Sequence, residues 1–315
     1  MIAAYQHGIY PRSEALVSAT RDLDRGRTTA ESVDEQHDRD LADLIDTQNQ
    51  AGLDYFTDGL LRWQDLFRPV LEACPGLRAG PLIRWFDNNT FFRAPEVVGD
   101  LELETASLSI FDTAEAVPSP RVATLPSPFL FSRVAMAKAD PNDVMLDLAE
   151  GILKPLARKL AEAGYGVVQL QEPWLAFHGI EDPDWKPFVE SVGLIGDGLQ
   201  ATTVLHTYFG DAGPWADRLR DMPVDAVGFD FIETDVEALG SNWPKGILVG
   251  CLDGRSSLVE PVHEVVDFVR RVAHTLEPPT LFLSSTSDLE LLPRATAREK
   301  VLRLGEAARR LKEIV

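Results

Sequence analysis

Ile2-Ala3-Ala4-Tyr5-Gln6-His7-Gly8-Ile9-Tyr10-Pro11-Arg12-Ser13 opens the chain as a short apolar run that breaks into polar residues and a turn. The pattern then repeats. Further apolar runs end at Asp58, at Thr124, at Gln169 to Pro173, at His206, at Asp230, at Asp253 and at Ser287. Polar side chains gathered at successive strand C-termini are how a (β/α)8 barrel builds a functional face. Strands are predicted at Ile2–Gln6, Leu53–Thr57, Arg121–Leu125, Gly166–Leu170, Ala201–His206, Val224–Asp230, Gly246–Gly250 and Thr280–Ser284. Helical periodicity fills the gaps. Leu41, Leu44 and Ile45 lie on one face of a helix predicted from Glu31 to Gly52. A stripe of Val144, Leu148, Ile152, Leu156 and Leu160 predicts another from Pro141 to Ala163. The expected fold is an α/β (β/α)8 TIM barrel over 1–315 as a single domain. The rival is an open doubly wound sheet, but no GxGxxG follows the first strand and no Walker A signature occurs.

One stretch breaks the alternation. Between about 62 and 116, Leu82–Phe86 and Thr90–Phe92 flank Asp87-Asn88-Asn89, the pattern of a hairpin. It is expected as an excursion over the C-terminal face, because so few residues make a weak core alone.

Composition narrows the partners. The 315 residues hold 50 acidic and 30 basic side chains, a formal charge of −20. A phosphate backbone needs a basic footprint, so no nucleic-acid partner is expected. A small anion is still compatible where arginines cluster. Cys74 and Cys251 are too few for a disulfide scaffold and suit a reduced setting. No apolar run reaches membrane-span length, and the opening residues lack a secretion-signal pattern. The expectation is a cytoplasmic protein with a small-molecule substrate and no membrane partner.

The motifs resemble, in order, the catalytic domain of cobalamin-independent methionine synthase and its short stand-alone relatives. Gly8-Ile9-Tyr10-Pro11-Arg12 is similar to that family's Gly-Ser-Phe-Pro-Arg. Gln48-Asn49-Gln50-Ala51-Gly52-Leu53-Asp54 followed by Thr57-Asp58-Gly59-Leu60 resembles Gln-x-x-Ala-Gly-Leu-Asp and Thr-Asp-Gly-Glu. Gln169-Leu170-Gln171-Glu172-Pro173 resembles Gln-x-Asp-Glu-Pro, and His206-Thr207-Tyr208 resembles His-x-Cys. The resemblance implies the barrel fold and a methyl or one-carbon transferase. It implies a methylated folate as methyl donor, or a methylcorrinoid. With no DxHxxG motif in the chain, the corrinoid would arrive on a partner corrinoid protein.

The departures bear on the chemistry. The family holds zinc through His, Cys, Glu and Cys, and the positions that match are His206, Tyr208, Asp230 and Ser287. A phenol and a serine hydroxyl are poor zinc ligands beside thiolates. A zinc site of the family's type is therefore not expected, and no metal ligands are assigned. A weaker site of His206 and Asp230, with His7 or His178, is the alternative. Gln171 replaces an Asp understood to hold the amino group of homocysteine, Ile9 replaces a Ser, and Leu60 replaces a Glu. These changes point to an acceptor other than homocysteine.

Each candidate has a functional and a structural reading. His206 is a ligand or acid/base, or a satisfied buried histidine. Tyr208 donates to a substrate oxygen, or fills the space of the metal and thiol. Asp230 orients His206, or caps a helix. Glu172, extended before Pro173, is the acidic candidate for substrate contact or acid/base work. Arg12, Asn88, Asn89 and Trp174 are the candidates for cofactor binding, through a charge fork, amide recognition and ring stacking. His7 is read as a close neighbour of a ligand or as packing. Ser284-Ser285-Thr286-Ser287-Asp288 is a hydroxyl-rich candidate for an anion. Two other functions stay open: a lyase or decarboxylase using acid/base chemistry, and a non-catalytic small-ligand binding protein.

Overall fold

The computed structural model describes residues 1–104 and 115–314. Its strands are β1 (Ile2–Ala4), β2 (Leu77–Arg84), β3 (Phe91–Val97), β4 (Arg121–Pro126), β5 (Tyr165–Gln171), β6 (Thr202–Thr207), β7 (Ala226–Asp230), β8 (Gly246–Leu252) and β9 (Leu281–Ser285). Seven form one curled parallel sheet in the order β1-β9-β8-β7-β6-β5-β4. Parallel neighbours need long crossovers, and helices supply most of them, including Ala30–Ala51, Asp182–Gly196, Val262–Leu276 and Arg294–Ile314. The result is a TIM-barrel-like fold with its polar strand ends on one face.

The seam between β1 and β4 departs from expectation. Leu53–Thr57 is not a regular strand; it makes one isolated bridge, Phe56 to Arg121. The reason lies in Asp54. Its backbone N–H donates to the Ala4 carbonyl at 2.9 Å, but its carboxylate, not a carbonyl, accepts the Ala4 N–H at 2.7 Å. On the other side Phe56 N–H donates to Pro120 at 3.0 Å and Val122 N–H to Phe56 at 2.9 Å. The segment thus ties both edges of the sheet without extending a ladder.

Period-two alternation sorts the interior. Ala3, Tyr5, Val122, Val167, Val204, Ala226, Leu248 and Phe282 form a small apolar cluster separate from the larger core. Steps of two residues toward the C-terminal face then reach His7, Thr124, Gln169, His206, Gly228, Gly250 and Ser284. An apolar plug therefore underlies a polar layer.

The helix predicted over 141–163 is broken by a π turn at Ala149–Leu153. Pro155 lacks the N–H that the Gly151 carbonyl would receive, and that carbonyl accepts from Leu103 N–H at 3.0 Å instead. Gly151 is required there, since a Cβ would lie 1.9 Å from the Leu101 carbonyl oxygen.

β2 and β3 pair antiparallel as a separate two-stranded sheet. The turn of this hairpin sits over the barrel mouth. Phe86 packs on Trp174, Phe177, His178 and Phe209, and Asp87 pairs with Arg255 at 3.4 Å. The far end of the expected excursion includes 105–114, which lie outside the described residues.

The seam generates a test. Asp54→Ala removes the acceptor of Ala4 N–H and the Lys312 contact at 2.6 Å. A loss of about 1–3 kcal/mol is expected from the unsatisfied N–H, read as a lowered urea midpoint at unchanged slope.

Candidate functional site

Two histidines face one another inside the polar layer, with ring centroids 4.7 Å apart. Their protonation follows from their partners. Ser284 Oγ has one hydrogen and donates it to the Tyr5 carbonyl at 2.7 Å. Toward His7 Nδ1, at 2.7 Å, it must accept. His7 therefore carries its proton on Nδ1 and presents a bare Nε2. On the other side, Tyr5 hydroxyl donates to Gln169 Oε1 at 2.9 Å, which turns the amide NH2 toward His206 Nδ1 at 3.1 Å. His206 Nδ1 accepts, so a neutral His206 carries its proton on Nε2. Burial pushes His7 down to about 3. It also pushes His206 well below the usual imidazole value, with His7 as a further cause. Neither Nε2 has a protein partner.

Three more groups complete the layer. Gln171 Nε2 donates to Asp288 Oδ1 at 2.8 Å, leaving Gln171 Oε1 buried and unpartnered. Asp288 Oδ1 lies 3.9 Å from His7 Nε2, and burial raises this carboxyl to about 7. Tyr208 is buried with its ring 5.2 Å from that of His206 and its hydroxyl unpartnered. Burial first, then Asp288, Glu290 and Glu172, hold its phenol well above its ordinary value. Two glycines make the room. A Cβ at Gly8, where φ is +66°, would overlap the Asp288 carboxylate, and one at Gly228 would sit 2.7 Å from His206 Cδ2.

The other candidates are placed differently. Glu172 is fully buried, and its oxygens accept from Ser127 Oγ, from Leu130 N–H at 3.1 Å and from Leu175 N–H at 3.0 Å. It ties together the starts of the helices Pro128–Val134 and Pro173–His178. Burial raises it to about 7. Asp230 accepts from Ile232 N–H at 3.0 Å and Phe209 N–H at 3.4 Å, and burial raises it to about 6. The loop hydroxyls after β9 face backbone: Ser285 donates to the Ser287 carbonyl at 2.7 Å, and Thr286 accepts from Gly254 N–H at 3.0 Å. Cys251 is buried, its thiol pushed up to about 12 by burial.

Trp174 lines an aromatic cavity of about 370 Å³ with Trp85, Phe92, Phe177 and His178, between the hairpin and the helix Pro173–His178. Asn88 and Asn89 lie in the hairpin turn beside Asp87, which borders that cavity. Arg12 lines a different cleft with Arg21, Arg68 and Arg93. The structure thus gathers His206 and Tyr208 with His7, Gln171 and Asp288, and leaves Glu172, Asp230 and Arg12 to other contacts. Asp288 was read in the sequence only as the end of a hydroxyl run. His7 was read from the Gly8 that follows it; its place on the inward alternation from Tyr5 is the signal that went unused.

Two outcomes follow. In 15N-histidine spectra, His7 should titrate as the Nδ1–H tautomer and His206 as the Nε2–H tautomer, both neutral between about pH 5 and 8; a matched pair of tautomers would refute the assignment. Glu172 sets a pH dependence. Its folded value is raised, so its stabilising contribution is present below the ordinary 4.5 and is lost as pH rises through about 7. The advantage of wild type over Glu172→Gln should shrink by about 3 kcal/mol across that window, measured by urea unfolding.

Known proteins share this fold. Residues 74–277 match the family described as cobalamin-independent synthase, N-terminal domain. The methionine synthase of Sulfurisphaera tokodaii is 25% identical over 317 residues, covering 97% of this chain and 91% of that one. That of Saccharolobus solfataricus is 26% identical over 316 residues, covering 97% and 93%. In structure, a B12-independent methionine synthase from Shewanella in complex with selenomethionine superposes with a TM-score of 0.79 at 17% identity, covering 99% and 98%. A methyltransferase from Methanosarcina mazei superposes at 0.62 with 14% identity, covering 98% and 92%. The family match spans well over half of the sequence, and the chain belongs to the cobalamin-independent synthase family.

Proposed function

We propose that the chain transfers a methyl or one-carbon group to a small acceptor without the zinc–thiolate centre of its family. The observation that carries this reading is the set of unmet polar atoms at the barrel mouth: His7 Nε2, His206 Nε2, Gln171 Oε1 and Tyr208 hydroxyl. Buried polar groups without partners are costly, and a bound substrate would satisfy them.

The donor set at the family's zinc positions argues for the second half of the proposal. Tyr208 keeps its phenolic proton, both Asp230 oxygens accept backbone N–H groups, and Ser287 hydroxyl donates to the Asp288 carbonyl at 3.4 Å. Of the alternative third ligands, His178 packs against Phe86 and Trp174. Among the described residues no three His, Cys, Asp or Glu side chains converge as metal ligands would. These residues do not fit the family's zinc, and no step is routed through it. Instead the acceptor is oriented by His206 N–H and Tyr208 hydroxyl, with His7 Nε2 accepting from it. Asp288, held near neutrality, is the group able to take a proton. The aromatic cavity under the hairpin suits a planar methyl donor such as a methylated folate. A methylcorrinoid on a partner protein is the other donor.

The test supplies the purified protein with each labelled donor and a cell-extract pool of small acceptors. Transfer from one donor is expected, falling about 100-fold or more in His206→Ala, with no stoichiometric zinc after dialysis against chelator. Absence of transfer from both donors by folded protein would end the reading. Zinc held through His206 would overturn its metal-free part.

A further inference from the structure

Gln6 Oε1 is unpartnered too, on a side chain whose NH2 is turned to the His7 and Gly8 carbonyls; the other four unmet atoms of the layer divide evenly. His7 Nε2 and Gln171 Oε1 are acceptors. His206 Nε2–H and Tyr208 hydroxyl are donors. The groups sit together: the His7 and His206 rings are 4.7 Å apart, the His206 and Tyr208 rings 5.2 Å, and Gln171 lies opposite His206 in strand register. The orientation of the Gln171 amide is fixed, because its NH2 is spent on Asp288.

This balance discriminates among ligands. An ammonium would satisfy the two acceptors but set its charge against two N–H and O–H dipoles. A carboxylate or thiolate would meet the two donors and face two lone pairs. A carboxylate or thiolate would also lie beside the Asp288 carboxyl and oppose its charge, and an ammonium would need Asp288 ionised, which burial resists. A carboxamide has two N–H donors and one oxygen with two lone pairs, and meets all four.

We propose that the enclosed end of this site takes an uncharged carboxamide-type group of the substrate, with His7 and Gln171 receiving its N–H groups and His206 and Tyr208 donating to its oxygen. The assignment names the substrate class of the site proposed above and rests on that site being the place of binding. His7 and Gln171 become specificity-determining residues. The group enters past the contact between Phe86 and Phe209, whose rings lie 5.7 Å apart over the mouth. Both residues hold positive φ, +50° and +66°, a strained conformation for a bulky side chain that recurs at ligand clamps.

The experiment uses full-length 15N-histidine-labelled protein and three probes of matched size: acetamide, acetate and methylammonium. Acetamide should shift the Nε2 resonances of both His7 and His206 at concentrations where the two ions shift neither. Tyr208→Phe should weaken acetamide binding about three- to tenfold with its fold intact, since the hydroxyl it removes has no partner in the free protein. Gln171→Met should weaken it as well, giving a second variant on the acceptor side. Tighter binding of either ion would overturn the proposal. So would failure of acetamide to shift either ring by about 100 mM, a concentration generous for so small a ligand. The readout is binding, so it separates from the catalytic reading. Acetamide binding without methyl transfer sinks the transferase function alone. Methyl transfer by a protein that prefers acetate or methylammonium sinks the carboxamide assignment alone.

Discussion

A parallel sheet closed on itself has to fill its own interior, and every second residue of each strand is available to do it. In this chain the filling changes character within two residues. Tyr5, Val122, Val167, Val204, Ala226, Leu248 and Phe282 pack as an apolar layer. The next inward positions include Gln169, His206, Ser284 and His7. Tyr5 belongs to both. Its ring packs edge-on against Phe282 at 5.8 Å, while its hydroxyl holds Gln169 and its carbonyl holds Ser284. From that one residue the orientation of Gln169 fixes His206, and the orientation of Ser284 fixes His7. The two imidazoles are therefore set in opposite tautomers by a single buried tyrosine.

Charge is distributed against the grain of the composition. The chain is strongly acidic, yet the groups pointing into the barrel are amides, hydroxyls and neutral imidazoles, with Asp288 as the acidic neighbour, its carboxyl raised by burial. Tyr208 and Ser287 bring no charge to the site. Gln171 is likewise uncharged and turns its NH2 to Asp288. An interior of mostly uncharged groups limits the desolvation cost that an unmatched charge would impose.

The strand ends were legible in the sequence because burial on both faces writes a parallel strand as an apolar run, and the first polar residue after it marks the mouth. Thus β4 to β9 lie where the runs predict them, within a few residues. The seam was not legible. Asp54 reads as a residue inside the strand predicted at Leu53–Thr57, and nothing local shows that its carboxylate receives Ala4 N–H fifty positions away. Pro155 was visible, but the π turn also needs Leu103 to arrive at Gly151. His206 and Tyr208 were identified by position. The environment of Glu172 was not, since its partner Leu130 lies on another helix and only the fold brings that N–H to it. Asp288 failed to stand out for a similar reason: its neighbours His7 and Gly8 come from the opposite end of the chain.

The hairpin covers the mouth of the barrel. It is the one paired element outside the barrel sheet among the described residues, and its turn reaches the loops after β5, β6 and β8. Arg255 lies over the Phe209 ring at 5.4 Å while pairing with Asp87, so one guanidinium spans the turn and the loop after β6. That ion pair is partly exposed and worth little by itself. The aromatic contacts beneath it are more substantial, but they are made by two phenylalanines held at positive φ. Strain at the two φ angles offsets part of what the rings gain by packing. A polar layer covered by this ion pair and aromatic pair has its unmet hydrogen-bonding groups shielded from bulk water. The covering element and the neutral interior are in this sense one design: the first keeps solvent from the groups that the second leaves unsatisfied.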